Sequence, residues 1–553
     1  MFYKLHFLQY IWRKILLLAA SPYFSLLVWI LPLLIFSSGY SSLIAHDEAL
    51  YASRARLMFD SGNWIAPWEK AHHKTPGPYW LIASFYELFG INDISARLPS
   101  MITGILCLWI VYEIGKIILG KKLAWLAAAI LSVEFLWLQS CRLSTPDVPL
   151  VLLVLLAIWS LIKAEINPRK RQFWSFIAGL SLGLGFLMRS FMIFIPIIAL
   201  LPYLIGDRRR HGHLSNPILY LGFFVGLIPS FVWLWLCWLH YGNQSFEELY
   251  KFVIYQSSNG NDNYHTNFLF YVWNIPLKAF PWAFFGILGL FLAIRRPFRY
   301  KLLLVGFPII LFTEISIFTT RFSHYSLCLY PFVALFAAVG LNWLGEIYQL
   351  GIPSQSTVQK RKKNILNFFA KQNLPRNLSY GFGGFGVLLI IASIVIFAWG
   401  SSDIRKYAII GLAMGLGWLI LPVVWIGRYH FGKKFLTTGY WVAGWLIPCW
   451  LALAAMGSTG MLSDYNPALR IFLQQSAIAS ILKTNPIYFV QIDDKVQVLL
   501  DFYIAIDDKR VVSFSQVPAF SYAWTDQNQS PKLSRPHRIL GTVKEYQFIQ
   551  VLN

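Results

Sequence analysis

The feature that most constrains this chain is a succession of apolar runs, each roughly 13–22 residues long, separated by short polar segments. A helix needs roughly 20 apolar residues to cross a bilayer, so such runs point to repeated crossings. We mark thirteen: Phe24–Leu43, Leu98–Ile118, Leu123–Ser140, Val148–Ala164, Phe173–Met188, Phe191–Ile205, Ile218–Leu239, Pro281–Ala293, Leu302–Phe318, Tyr325–Leu344, Gly381–Gly400, Tyr407–Ile426 and Thr438–Met456. Composition agrees. Only 13% of the 553 residues are charged and 57% are apolar, whereas a soluble surface takes about 25% charge. Disorder, collagen-like repeats and a secreted disulfide scaffold are excluded. Five scattered cysteines, Cys107, Cys141, Cys237, Cys328 and Cys449, show neither metal nor disulfide spacing. The basic opening MFYKLHFLQYIWRK precedes an apolar stretch with no small-x-small cleavage site, so it reads as a retained first span.

The net charge of +22 would suggest nucleic acid in a soluble protein. Here the cations cluster in alternate loops: Lys121–Lys122, Arg169–Arg171, Arg208–Arg210, Arg295–Lys301, Lys360–Lys363 and Arg428–Lys434. With the N-terminus cytoplasmic, all of these fall on the cytoplasmic side, as membrane topology demands. No nucleic-acid partner is expected; the Lys360–Lys363 run would at most touch anionic membrane lipids. Thirteen crossings leave the C-terminus outside. Residues 1–460 then form the transmembrane domain, and 461–553 a small extracytoplasmic α/β domain. In that tail Asp464–Lys483 and KVQVLLDFYIAI read as helices, and PIYFVQI, RVVSFS and YQFIQVL as strands. Two external loops, about 44–97 and 240–280, are long enough to carry function.

In the first loop, Asp47–Phe59 is helix-compatible with a stop at Asp60-Ser61-Gly62. Asp47, Tyr51, Arg54 and Met58 share one helical face. Pro78–Phe89 is a second, apolar helix too short to span, suited to the membrane interface. Between them His72–Pro78 forms a rigid turn that presents cations. Asp47-Glu48 directly follows the first span, and Asp147 in SCRLSTPDVPL opens the fourth in a matching place. Each acid alone reads more readily as a helix N-cap. His46, Glu69, His72 and His73 are metal-ligand types close together in sequence. Their spacing fits no standard site, so no cofactor is required and a divalent metal is only an option.

These segments carry a family resemblance. The motifs DEALYASRARLMFDSGNWIAP, KTPGPYWL, ELFG, ARLPS, RLSTPDVPL, FPW and TTRFSHYSLCLYPFVAL resemble membrane glycosyltransferases of the GT-C fold. The group is the protein O-mannosyltransferase-like superfamily, which includes the lipid A aminoarabinose transferases. The resemblance covers most of the first 345 residues. It implies an α-helical polytopic membrane protein of about 13 transmembrane helices in a bacterial inner membrane. Four positions depart from the pattern. The Lys-Pro-Pro turn is Lys74-Thr75-Pro76-Gly77-Pro78, the acid that often precedes that lysine is His73, the arginine of "DEARYA" is Leu50, and the late lysine is Arg321. The aminoarabinose donor and lipid A acceptor are thereby put in question.

The resemblance also implies a polyprenyl-phosphate-linked sugar as donor, a lipid, glycan or protein acceptor from the periplasmic side, and inversion at the anomeric carbon. Such a step needs a carboxylate base and cations for the leaving phosphate. Asp47 is the expected base, Glu48 the weaker neighbour, and Asp147 a second acid that orients the acceptor. Lys74 and Arg54 are candidate phosphate clamps. Arg189, Arg321, His324 and Tyr325 lie at external span ends and could join them. The alternative for the two arginines is snorkelling, and for Tyr325 headgroup anchoring. A transporter or lipid flippase is the competing class. It needs ionisable groups or broken helices near the midplane, where Glu134 and Glu314 are the candidates.

Overall fold

The computed structural model describes residues 21–39, 41–44, 48–68, 70–258, 267–295, 297–350, 373–464, 466–492, 494–504, 509–511, 513–527 and 535–552. Among them, eight helices are long and apolar enough to cross a membrane, or up to ten if each of two bent pairs counts as one span. Lys121–Ser132 and Phe135–Cys141 meet at 71°, and Phe270–Lys278 and Trp282–Arg295 at 113°. Pro22–Ile35 and Leu302–Ile317 are shorter apolar helices. The thirteen apolar runs thus fall on helices, but not as thirteen full-length spans.

The 39-residue helical run Pro168–Gly206 accounts for two of them. Straight, it would separate its ends by about 58 Å. Instead Arg171, at its start, donates to the carbonyls of His211 (2.7 Å) and Gly212 (3.1 Å), beyond its end. The chain therefore turns back on itself, at Ser190, whose φ is +49°. Phe173–Met188 and Phe191–Ile205 are the two arms. Small residues then let the outer arm meet the next helix, Pro217–Tyr241. A Cβ on Gly179 would sit 2.0 Å from the Leu219 carbonyl oxygen, and one on Gly222 2.2 Å from that of Phe176. Close backbone approach of this kind replaces the hydrophobic drive that lipid cannot supply.

Three of the basic clusters gather at one end, while the Lys360–Lys363 run lies outside the described residues. Arg210 and Arg299 share the carboxylate of Glu165, at 3.0 and 2.6 Å. Arg171 lies beside them through His211. The opposite end bears the first loop and the C-terminal domain.

That domain is a five-stranded sheet. Its strands are β1 (Ile487–Val490), β2 (Lys509–Val511), β3 (Tyr522–Asp526), β4 (His537–Val543) and β5 (Tyr546–Val551), in the order β2-β1-β3-β5-β4. β1 runs parallel to β2 and β3, and β5 antiparallel to β3 and β4. The expected helix Asp464–Lys483 is two short helices, Pro467–Leu473 and Ser476–Thr484. β3 and β4 were not foreseen. β4 is largely exposed and slips register between Ile539 and Gly541, which erases its alternation.

The domain does not stand apart. Leu499 and Phe502 of its Asp494–Tyr503 helix share one apolar cluster with Ala52, Met58, Tyr79 and Tyr86 of the first loop. Polar ties reinforce this. The Tyr503 hydroxyl donates to Asp93 (2.5 Å) and accepts from the Leu43 amide (3.2 Å). Arg470 pairs with Asp93 at 3.1 Å and donates to the Gly39 carbonyl at 2.7 Å. Asp464 accepts from the Ser42 amide and hydroxyl at 2.8 and 2.6 Å. The first loop is therefore held from both sides, by the bundle and by the domain.

Candidate functional site

The first-loop helix runs from Glu48 to Ser61. Asp47, His46 and Glu69 lie outside the described residues. Glu48 is fully buried, and both its oxygens are taken. Oε1 meets Arg97 Nε (2.6 Å) and the Ser144 amide (3.1 Å); Oε2 meets Arg97 Nη2 (2.9 Å) and the Ile44 amide (2.8 Å). Arg97, also fully buried, spends its remaining hydrogens on the carbonyls of Ser38 (2.7 Å), Ser42 (3.0 Å) and Ser463 (3.2 Å) and on the Ser41 hydroxyl (2.6 Å). A carboxylate so fully engaged has no lone pair for a reacting proton. Glu48 is thus not a base but the centre of a buried knot. The knot joins the first-span exit, the loop helix, the Ser144 turn and the start of the C-terminal domain.

The knot also brings the two acidic segments together. Ser144 stands three residues before Asp147, and Glu48 one residue after Asp47. Arg97 was not singled out from the sequence as a functional residue, although it stands in the quoted motif ARLPS. Arg142, the other buried arginine of this region, donates to the Leu33 and Leu34 carbonyls at 2.5 and 3.2 Å, ending the first apolar helix.

Asp147 opens the Asp147–Ile166 helix and forms an ion pair with Arg189, the last residue of Arg171–Arg189. The pair lies on a narrow cleft whose other walls include Val151, Met192, Leu311, Ile315, His324 and Tyr325. Most of the lining is aliphatic or aromatic. Arg189 stacks over the Tyr325 ring at 5.4 Å. His324 lies flat on Phe322 at 5.4 Å and meets Tyr325 edge-on at 4.8 Å. The charges of Arg189 and Lys74 both act on His324. The structure thus brings Asp147, Arg189, His324 and Tyr325 together and sets Lys74 within their field. Arg321 turns back instead, donating from Nε and Nη2 to the Ser316 carbonyl at 3.1 and 3.0 Å.

Lys74 is carried there by its turn. A Cβ on Gly77 would lie 2.5 Å from the Leu187 carbonyl oxygen and 2.4 Å from Met188 Cε. The turn is pressed against the end of the helix that bears Arg189, and only glycine permits that approach. Gly77→Ala should cost about 1–3 kcal/mol of stability through overpacking and shift Lys74 away from Arg189. A thermal midpoint equal to that of the wild-type protein would contradict this.

Aromatic rings surround the lysine. Its ammonium lies 4.6 Å over the Tyr51 ring. Tyr51 stacks on Tyr79 at 5.6 Å. Trp68, His72 and Tyr79 form a triangle with ring centres 5.1, 5.4 and 5.8 Å apart. The loop around Trp68 is tethered where Trp80 Nε1 donates to the Trp64 carbonyl (2.7 Å) and Trp233 Nε1 to that of Ile65 (3.1 Å). Among the described residues, no group of three or more His, Cys, Asp or Glu is placed to hold a metal. His72 instead accepts the Lys74 amide hydrogen at Nδ1, at 2.9 Å.

Burial, then the charges of Arg54, His73 and Lys74, hold His72 well below the usual histidine range. Burial, Lys74 and Arg54 push His73 down to about 3 from 6.5. The unfolded chain therefore binds more protons than the folded one below the unfolded value. Stability is intact above about pH 6.5 and falls as the pH drops towards 3. The thermal midpoint should decrease between about pH 7 and 5, and the decrease should shrink in His73→Asn. An equal decrease in both proteins would contradict the assignment.

Known proteins resemble this chain in sequence and fold. Residues 73–236 match the family model described as dolichyl-phosphate-mannose-protein mannosyltransferase. That segment includes Lys74, Asp147 and Arg189. The undecaprenyl phosphate-alpha-4-amino-4-deoxy-L-arabinose arabinosyl transferase of Pseudomonas savastanoi pv. phaseolicola is 32% identical over 202 residues, 35% of this chain and 36% of that protein. An uncharacterized protein of Aquifex aeolicus is 26% identical over 57% of this chain and 63% of its own length. The chain thus spans less than two thirds of the length of these relatives. Over the whole chain, the crystal structure of ArnT from Cupriavidus metallidurans bound to undecaprenyl phosphate superposes with a TM-score of 0.70, at 18% identity, covering 97% of this chain and 98% of that one.

The fold is that of the GT-C membrane glycosyltransferases. The Archaeoglobus fulgidus oligosaccharyltransferase shares it more distantly, with a TM-score of 0.51 at 13% identity over 91% of this chain and 69% of that one. The fold expected from the first-loop motifs is therefore present. It extends beyond the residues that carried the resemblance, through the C-terminal sheet.

Proposed function

We propose that this protein is an inverting glycosyltransferase. It moves a sugar from a polyprenyl-phosphate carrier onto an acceptor at the domain-bearing face of the membrane. The observation that carries this reading is the mouth of the apolar cleft, where Arg189, His324 and Tyr325 meet and the charge of Lys74 arrives from the first loop. A prenyl chain fits aliphatic walls, and a phosphate fits cations at their rim. The arabinosyl transferases among the relatives are named for an undecaprenyl phosphate sugar, which supports the donor class.

In this reading, the acceptor oxygen attacks the anomeric carbon as its proton passes to Asp47. The bond from that carbon to the phosphate oxygen breaks, and the electron pair leaves with the phosphate. Arg189 and Lys74 stabilise the charge that develops there. Asp147 holds Arg189 in place through their ion pair. The acceptor is a lipid, a glycan or a protein hydroxyl, met on the periplasmic side of a bacterial inner membrane, with the N-terminus cytoplasmic.

The test is transfer of radiolabelled sugar from a synthetic polyprenyl-phosphate donor by protein in nanodiscs. Arg189→Gln should lower kcat/KM about 10–100-fold, as expected for loss of a charged hydrogen bond. Asp147→Asn should act through the same arginine, so the double variant should lose less than the product of the two. Independent, multiplicative losses would remove the pair from the mechanism. A transporter reading draws on Glu134, which lies buried at the 71° break with both oxygens unpartnered. Substrate flux in proteoliposomes without sugar transfer would favour it.

A further inference from the structure

Beside the phosphate-binding lysine lies a set of polar atoms that the folded chain leaves unused. Trp68 Nε1, His72 Nε2 and Thr75 Oγ1 are buried without a hydrogen-bond partner, and beside them the Arg54 guanidinium and the Tyr79 hydroxyl face each other. Tyr79 is 0% exposed and His72 8%. Buried polar groups in folded proteins are nearly always paired, so three orphans in one loop point to a missing ligand. Their chemistry is one-sided. A guanidinium and an indole N–H only donate. His72 uses Nδ1 to accept from the Lys74 amide, and its ring is kept neutral by burial and its cationic neighbours, so Nε2 carries the hydrogen and also donates. Burial pushes the Tyr79 hydroxyl up to about 12, so it keeps its proton. The charges of Arg54 and Lys74 both act on His72, His73 and Tyr79.

Position matters as much as chemistry. The Tyr51 ring has the Lys74 ammonium over it at 4.6 Å and the Tyr79 ring stacked on it at 5.6 Å. The donor nest is thus one ring away from the cation assigned to the carrier phosphate.

We propose that Arg54, Trp68, His72 and Tyr79 form the subsite for the donor sugar, and that it takes a sugar face bearing only oxygen, as hydroxyls or a carboxylate, and rejects an ammonium. This rests on the transferase reading above. It departs from the relatives named for a 4-amino-4-deoxy sugar. An ammonium offers only hydrogens, and three of the four groups here have no lone pair to receive them.

The experiment uses the full chain in nanodiscs and three short-chain polyprenyl monophosphates. One is bare, one carries a neutral pentose, and one carries the same pentose with an amino group at carbon 4. Dissociation constants are read by native mass spectrometry. The neutral sugar carrier should bind at least about tenfold more tightly than the amino one, since unpaired polar groups discriminate strongly. Trp68→Phe keeps the ring and removes the N–H, so it should compress that ratio; Tyr79→Phe is the second such variant. Equal binding of the two sugar carriers would overturn the subsite while the bare carrier still bound. A ratio unchanged in both variants would do the same. If even the bare carrier failed to bind, the transferase reading would fall and this inference with it.

Discussion

Arg97→Leu is expected to leave little folded protein in the membrane. The substitution is close in volume and suits an apolar surround, yet it strands a fully buried carboxylate. Glu48 loses the Nε and Nη2 donors at 2.6 and 2.9 Å. The carbonyls of Ser38, Ser42 and Ser463 lose theirs as well. Breaking a buried pair from one side costs about 3–5 kcal/mol, a large part of the stability of an ordinary domain. The knot joins the first span to the C-terminal domain, so both should loosen together. Detergent-solubilised protein should show a markedly lower thermal midpoint and faster proteolysis after residue 463. Glu48→Gln with Arg97→Leu should recover part of the loss, because it removes the stranded charge. If Arg97→Leu alone kept the wild-type midpoint, the knot would not hold the fold.

Asp47→Asn should lower transfer about 100–10,000-fold and leave the protein folded. Asparagine keeps the shape but cannot take the acceptor's proton, and a positioned general base contributes about 100–10,000-fold. The structure separates this residue from its neighbour, because Glu48 is consumed by Arg97, Ser144 and Ile44. Glu48→Gln should therefore lower stability, whereas Asp47→Asn should lower kcat at constant thermal midpoint. The pH profile gives a second readout. A hydroxyl acceptor needs deprotonation, so the acidic limb of the wild-type profile should vanish in Asp47→Asn. Full transfer by Asp47→Asn would remove it as the base.

Much of the site was written in local pattern. The first-loop helix, the Gly77–Phe89 helix and the Asp147 helix start carry prolines, glycine stops and apolar runs that act over a few residues. Lys74 was legible as a cation of the first-loop turn, and Arg189, His324 and Tyr325 as polar residues at span ends. Their pairing was not. Asp147 and Arg189 meet because two helices cross, and Glu48 meets Arg97 across 49 residues. The Ser463 carbonyl reaches that knot from 366 residues away. No periodicity encodes such returns. The donor nest escaped notice for a related reason. Trp68 and His72 lie in an irregular segment, where direction is set by tethers such as Trp233 to Ile65. Glu48 was the weaker candidate for the base, and its partner Arg97, far along the chain, was not legible. Sequence does not mark a bend either: helices that meet at 71° and 113° look in sequence like straight ones.

The central claim is that the cleft lined by Arg189 and His324, with the charge of Lys74 acting on it, binds a polyprenyl phosphate. Native mass spectrometry of the protein purified in mild detergent tests it most directly, with Lys74→Ala and Arg189→Gln alongside. The account predicts a copurifying polyprenyl phosphate, or its sugar adduct, in the wild-type protein and its loss in both variants. Wild-type protein that carries only bulk phospholipid, and takes up no added polyprenyl phosphate, would contradict it.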